Sequence, residues 1–282
     1  MKKGLIMEGG AMRGMYTAGV LDILMEHGLQ FDVVIGVSAG AAFGVNYLSK
    51  QKGRVIRYNK RFNADKNYMG ICPLLKEGNI ISTKYAYEIV PHQLDVFDDD
   101  TFQASGVPFY AVVTNVDNGN SEYILVKSVF EQMDALRASG SMPFVSKPVE
   151  IDGKRYLDGG ISDSIPFEFA RSLGCDKIVV VLTRDVEYRK KPMSKLLVRT
   201  KYGVKSALSQ RLMKRHEIYN NAVEQLRILE SEEKAFVIRP SAPIEIKRME
   251  KDPDKLQAVY DMGTLDCKKV LEDLKKYIFK SK

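Results

Sequence analysis

Three short, glycine-flanked segments of this 282-residue chain carry the residues that could do chemistry. Gly36-Val37-Ser38-Ala39-Gly40 fits G-x-S-x-G, in which a serine sits on a sharp strand-to-helix turn. The flanking glycines have no Cβ to clash as the strand folds back, and the helix N-terminus beside the serine favours developing negative charge. Gly9-Gly10-Ala11-Met12-Arg13-Gly14 is a run of small residues able to turn its backbone N–H groups into one concavity, suited to an oxyanion or a phosphate. It is not a P-loop, because no Gly-Lys-Ser/Thr follows, nor a dinucleotide fingerprint, whose second glycine would have to be Ala11. Asp158-Gly159-Gly160 places an approachable carboxylate 120 residues after the serine. At an ordinary pKa of ~3.9 an aspartate is a weak base, so it serves Ser38 as general base only where burial raises that value. Each segment also has a plain structural reading, Ser38 as a helix N-cap and Asp158 as a turn cap.

Histidine decides between a triad and a dyad. There are three, His27, His92 and His216. His27 precedes a glycine at a helix end and reads as a C-terminal cap residue, while His92 follows Val90-Pro91 in a loop. His216 has the right chain order for an α/β-hydrolase triad, but Lys214-Arg215-His216-Glu217 is a charged helical setting. That fold also places several strands before its serine elbow, and here one precedes it. The residues favour a Ser38–Asp158 dyad.

The elements that must position these groups can be read from hydrophobic spacing. Gly4–Met7 is a short apolar strand, and apolar residues three and four apart from Met15 to Met25 form a helix ending at His27-Gly28. Asp32–Val37 is a second buried strand, and Ala41, Ala42, Val45 and Leu48 suit a tightly packed helix. This βαβα start implies a parallel sheet. Phe109–Thr114 and Glu122–Lys127 alternate as strands around a Val116–Asn120 turn, and Lys177–Leu182 is a β-branched strand of the buried parallel kind. Helices are expected near 84–90, 130–138 and 166–173, and beyond Leu196 the chain is mostly helical apart from a strand near Phe236–Ile238. The break near Val186–Pro192 suggests residues 1–188 as a catalytic α/β domain and 189–282 as a helical C-terminal extension.

Composition sets the remaining bounds. Three widely spaced cysteines, Cys72, Cys175 and Cys267, exclude a disulfide framework and argue against a zinc site. The N-terminal segment meets Glu8 after three apolar residues and forms no signal-peptide core, so a cytoplasmic location is expected. The net charge of +7 is one patch: between Arg184 and Arg215 eleven Lys/Arg stand against Asp185 and Glu187. Leu197, Val204, Leu208 and Leu212 lie at helical spacing within it, either as a stripe packed on the α/β part or as a peripheral contact with anionic membrane. No nucleic-acid module accompanies the patch, and none is expected to bind.

Taken together, the motifs resemble the bacterial members of the patatin-like phospholipase family. That family pairs a D/E-G-G-G-x-R/K-G loop after the first strand with an early G-x-S-x-G and a distant D-G-G/A. Here these are Glu8–Gly14, Gly36–Gly40 and Asp158–Gly160, and Ala138–Pro143 resembles the small-residue segment before the aspartate. The resemblance covers roughly residues 3–185. It implies a three-layer α/β/α fold with a mainly parallel sheet, and a lipid acyl hydrolase with Ser38 as nucleophile and Asp158 as base. It further implies an oxyanion hole from the N–H groups of Gly9, Gly10, Ala11 and Met12, with Arg13 positioning the loop. Ala11 stands where the family often has a third glycine. No cofactor or metal is implied, and the substrate is a lipid or other acyl ester. Phe62, Tyr68, Ile71, Leu74 and Leu75 are candidates to cover an acyl pocket, with core packing expected for most of them. A non-catalytic lipid- or phosphate-binding protein on the same fold is the alternative.

Overall fold

The computed structural model describes residues 1–280, and its central strands are apolar on both faces. Successive side chains of a strand point to opposite sides, so a strand buried on both faces reads as a continuous apolar run. Strand β1 (Lys3–Met7) sends Leu5 and Met7 to one face and Ile6 to the other; β2 (Val33–Val37) sends Val34 to the first face and Val33, Ile35 and Val37 to the second. The sheet continues through β3 (Phe109–Asn115), β4 (Ser121–Val126), β5 (Val149–Ile151), β6 (Lys154–Asp158), β7 (Lys177–Val181) and β8 (Ala235–Ile238). Its order is β5-β6-β3-β2-β1-β7-β8, with β4 also paired to β3. The β1–β2, β1–β7, β2–β3 and β7–β8 pairs are parallel, and the antiparallel pairs all lie at the β3 side. The hairpin of β5 and β6 was not legible in the sequence, where the stretch read only as turns.

Helices close both faces. On the first lie α1 (Met15–Glu26), α2 (Ala39–Leu48), α3 (Arg54–Phe62), α5 (Asp99–Ala104) and α6 (Met133–Ser139), while the short α4 (Ile71–Glu77) adds no residue to that core. The second is covered by α7 (Phe167–Ser172) and by α9 (Ala207–Ser231), which follows α8 (Lys195–Tyr202) and packs Tyr219, Val223, Leu226 and Leu229 against the strands. The result is the expected three-layer α/β/α sandwich. Residues 189–280 join both layers: β8 extends the sheet beside β7, and α10 (Pro253–Phe279) lies on the first face against α1. Gly19 and Gly263 make that last contact possible. A Cβ on Gly19 would stand 2.2 Å from the Tyr260 carbonyl oxygen, and one on Gly263 would stand 2.1 Å from that of Tyr16.

The basic stretch divides. Gly203, at φ 85°, ends α8 and reorients the chain before α9. Leu208 and Leu212 are consequently buried with Leu157 and Ile161 beneath the Asp158 loop, whereas Leu197 and Val204 stay exposed. The single apolar stripe expected from spacing is therefore two surfaces.

Candidate active site

Strand β3 brings the two catalytic candidates together. Its one edge is taken by β4 along residues 109–114, so its other edge must serve both β2 and β6. Strand β2 pairs with residues 109–112 in parallel and stops at Val37; β6 pairs with 113–115 in the opposite direction and stops at Asp158. The two strands meet end to end, and the residues just past their junction face each other. Ser38 Oγ donates to Asp158 Oδ2 at 2.8 Å.

The turn at Ser38 holds a conformation that side chains rarely adopt, φ 54° and ψ −120°. Such strain persists only where surrounding structure fixes it. Two close approaches do so. A Cβ on Gly36 would meet Ala41 Cα at 2.5 Å, and one on Gly40 would meet the Met7 carbonyl oxygen at 2.3 Å. Ser139 is the third restraint: its Oγ accepts from the Ser38 N–H at 2.8 Å and donates to the Val112 carbonyl at 2.7 Å. Ser38 makes no side-chain cap on α2, so its hydroxyl serves Asp158 and not the helix.

Asp158 is almost fully buried. Its Oδ1 accepts from the Gly160 N–H at 2.7 Å, and its own N–H donates to the Ser141 carbonyl at 2.9 Å. Burial pushes its carboxyl above the usual carboxylate range, against the opposing pull of Arg215, the Ser38 hydroxyl, the Gly160 N–H and Lys190. This is the shift that a catalytic base of this type requires. Gly159 lets the loop pass β3, because a Cβ there would stand 2.2 Å from the Val112 carbonyl oxygen.

The glycine loop crosses the serine at close range, with a Cβ on Gly9 placed 2.8 Å from Ser38 Cβ. Its anchor is Glu8, buried and held by Thr183, whose N–H and Oγ1 donate to Glu8 Oε2 at 2.7 and 3.1 Å. Ala11 adopts φ 48°, the left-handed conformation that the missing third glycine would take without strain. The Met12 N–H donates to the Arg248 carbonyl at 3.2 Å and is thereby engaged away from the serine. It is removed from the oxyanion donors expected from the sequence. Arg13 lies at the wall of the site, its pKa lowered to about 10 by burial and by the neighbouring Arg184 and Arg248.

Two chambers meet at Ser38. One is an apolar cavity of about 120 Å³ among α2, α3, α6 and the segment 85–94, lined by Phe43, Tyr58, Tyr68, Val90 and Leu136. Of the expected acyl-pocket residues only Tyr68 lines it; Phe62 is buried beside Tyr68, Leu74 is not at the cavity wall, and Ile71 and Leu75 are 74% and 82% exposed on α4. α4 turns Ile71 and Leu75 outward. The other chamber is a polar vestibule of about 700 Å³ that also reaches Gly9, Gly10, Asp158, Arg184, Lys190 and Arg215. His216 lies on its wall, closer to the chemistry than its charged sequence context suggested, yet the serine hydroxyl is already bonded to Asp158. Among the described residues no cluster of three His, Cys, Asp or Glu side chains is placed to hold a metal ion. Nor is any helix there long and apolar enough to cross a membrane.

Ser139 and Thr183 were not singled out by sequence reasoning, and Arg215 and Lys190 were seen only as members of the basic run. Ser139 lies inside the small-residue segment before Asp158, which was the one signal available for it.

A mixed α/β sandwich with a strained serine elbow bonded directly to an aspartate defines a Ser–Asp site on a three-layer fold. Residues 5–171 match the family model of patatin-like phospholipases, and the chain belongs to that family. Residues 205–279 match a second model, a domain of unknown function (DUF6363). The uncharacterised protein YjjU of Escherichia coli strain K12 is 32% identical over 183 residues, 64% of this chain and 51% of that protein. Lysophospholipase NTE1 of Saccharomyces cerevisiae is 28% identical over 185 residues, 63% of this chain and 10% of the yeast protein. This chain thus spans about half or less of the length of these relatives. The crystal structure of VipD from Legionella pneumophila aligns with 96% of this chain and 67% of its own, with a TM-score of 0.46 and 14% identity.

Proposed function

We propose that the protein is a serine acyl hydrolase acting on fatty-acyl esters of lipids through a Ser38–Asp158 dyad. The observation that carries this reading is the 2.8 Å bond from Ser38 Oγ to a buried Asp158, made from a backbone at φ 54°. Asp158 takes the hydroxyl proton as Ser38 Oγ attacks the ester carbonyl, and the N–H groups of Gly9, Gly10 and Ala11 receive the developing oxyanion. Arg13 steadies their loop. Collapse of the tetrahedral species returns the proton to the leaving alcohol and leaves an acyl-enzyme. Water, deprotonated by the same carboxylate, then releases the fatty acid. The acyl chain lies in the apolar cavity and the alcohol part projects into the vestibule.

The exposed Leu196 and Leu197, with Lys195, Arg199 and Lys201 on the same short helix at the vestibule mouth, make α8 the surface for peripheral approach to anionic lipid.

Labelling by a fluorophosphonate probe tests the dyad. Wild type and His216→Ala are expected to label, Ser38→Ala and Asp158→Asn not. Loss of labelling in a folded His216→Ala would replace the dyad with a triad. An unlabelled, folded wild type would favour a binding protein on the same fold.

A further inference from the structure

The vestibule carries far more positive than negative charge, and of its cations Arg189 is paired, with Glu224. Besides Arg189 and the exposed Lys191, five cations line it, Arg13, Arg184, Lys190, Arg215 and Arg248, and the carboxylates on its wall are Glu8 and Asp158. Glu8 is occupied by Thr183, and Asp158 by Ser38 and Gly160. Among the described residues none of the five cations forms an ion pair within 4 Å. Three of them are held instead by rings and by backbone. The Lys190 ammonium lies 3.8 Å from the Tyr219 ring centroid and the Arg184 guanidinium 4.0 Å from that of Tyr188. Arg215 Nε donates to the Gly160 carbonyl at 2.5 Å. The loop bearing Lys190 is stitched to α9: the Lys190 N–H donates to Asn220 Oδ1 at 2.8 Å, and Asn220 Nδ2 donates back to the Lys190 carbonyl at 3.1 Å. Burial lowers the pKa of both Lys190 and Arg215; neighbouring cations lower each further, while Asp158 and Glu8 pull both back up. Concentrated, half-buried charge of one sign is unfavourable unless an opposite charge enters it.

Geometry says where that charge comes from. Ala11, Ser38, Met142 and Met249 line both chambers. An ester with its carbonyl at Ser38 and its chain in the apolar cavity must place its alcohol part among these cations. We propose that Arg184, Lys190, Arg215 and Arg248 form a phosphate subsite that selects anionic glycerophospholipids, whose phosphate carries no compensating ammonium. This rests on the hydrolase reading for its orientation of the substrate. A choline or ethanolamine head group brings a cation into the same chamber and is disfavoured by it. All four cations lie beyond residue 171, the end of the match to the phospholipase family model; Arg215 and Arg248 fall within the 205–279 match and Lys190 is tied to it through Asn220. Arg184 follows the last residue of β7 by three positions.

The test uses the full chain carrying Ser38→Ala, so that lipid is bound without turnover, and calorimetry with a monoacylglycerol phosphate, the matching monoacylglycerophosphocholine and inorganic phosphate. The phosphomonoester is expected to bind at least about tenfold more tightly than the choline lipid. Lys190→Gln and Arg248→Gln, each with an unaltered urea midpoint, are expected to reduce that ratio severalfold, and Lys190→Arg to restore it. Equal binding of the two lipids, or ratios unmoved by both substitutions, would overturn the subsite. Inorganic phosphate binding as tightly as the lipid phosphate would overturn its assignment to a head group. Failure of the two readings is separable: a wild type that is labelled at Ser38 but shows no anionic preference loses the subsite alone. One that binds the anionic lipid selectively yet is never labelled loses the hydrolase reading alone.

Discussion

Ser139→Ala removes one hydroxyl that touches neither the acyl cavity nor the vestibule, and it should disable the site. The Ser139 hydroxyl is fully buried and bridges two backbone groups, accepting from the Ser38 N–H at 2.8 Å and donating to the Val112 carbonyl at 2.7 Å. Alanine leaves both without a partner in a region closed to water. Each buried unsatisfied group costs about 1–3 kcal/mol, so the loss is about 2–6 kcal/mol before relaxation. That is a large part of a typical stability of about 5–15 kcal/mol. Relaxation is available at Ser38, whose φ of 54° persists only under restraint. The turn would recover some of the loss by moving, and a displacement of ~1 Å at a nucleophile lowers its reactivity by about 10²-fold. Urea unfolding and the rate of fluorophosphonate labelling measure the two effects together. Ser141→Ala is the control, because its hydroxyl donates only to the Arg137 carbonyl one turn back, and a loss below about 1 kcal/mol is expected there. If Ser139→Ala unfolds within 0.5 kcal/mol of wild type, on the order of the error of such a measurement, and labels at the wild-type rate, Ser139 does not hold the elbow and the account of it is wrong.

The dyad predicts an acid limb in labelling rate lying above the ordinary carboxyl range, because Asp158 must be ionised to act and burial raises its pKa. Labelling therefore rises with pH through that raised value, and Arg215→Gln, which removes a charge that lowers it, should move the limb to higher pH. Ala11→Gly should relieve the left-handed strain at φ 48°, raise stability by about 1 kcal/mol in thermal unfolding and keep labelling; a loss of stability would mean that the alanine methyl packs. Gly263→Ala should destabilise by about 1–3 kcal/mol despite the better helix propensity of alanine, since its Cβ would stand 2.1 Å from the Tyr16 carbonyl oxygen. A gain in urea midpoint would show that α10 can shift freely on α1.

What the sequence disclosed is what lies close together along the chain. Gly36–Gly40 and Asp158–Gly160 each encode their own turn, and the strand–loop–helix rhythm around the first is local, so both were legible. Their partners are not local. Ser139 and Thr183 reach the site through hydrogen bonds to residues 101 and 175 positions away, and no spacing rule reports such pairs. The basic run near 184–215 was visible as charge, but whether a cation faces solvent or a vestibule depends on how α9 rolls on the sheet. The same limit explains α4, where Ile71 and Leu75 were visible as apolar residues without any sign of which way they turn. Met12 shows the limit at the level of one N–H, engaged by the Arg248 carbonyl far down the chain.

The end-to-end meeting of β2 and β6 on one edge of β3 gives the site a property beyond catalysis. The distance between Ser38 and Asp158 is set by counting along β3, where Val37 pairs with Val112 and Asp158 with the next residue, Val113. A slip of one position by either strand changes that distance by ~3.3 Å and turns the side chain to the opposite face. No intermediate degree of misalignment would leave the two groups in contact. Ser38 therefore acts as a vernier for the sheet, and on the proposed reading the fraction of molecules that accept a covalent probe reads out the fraction whose strands closed in the right notch.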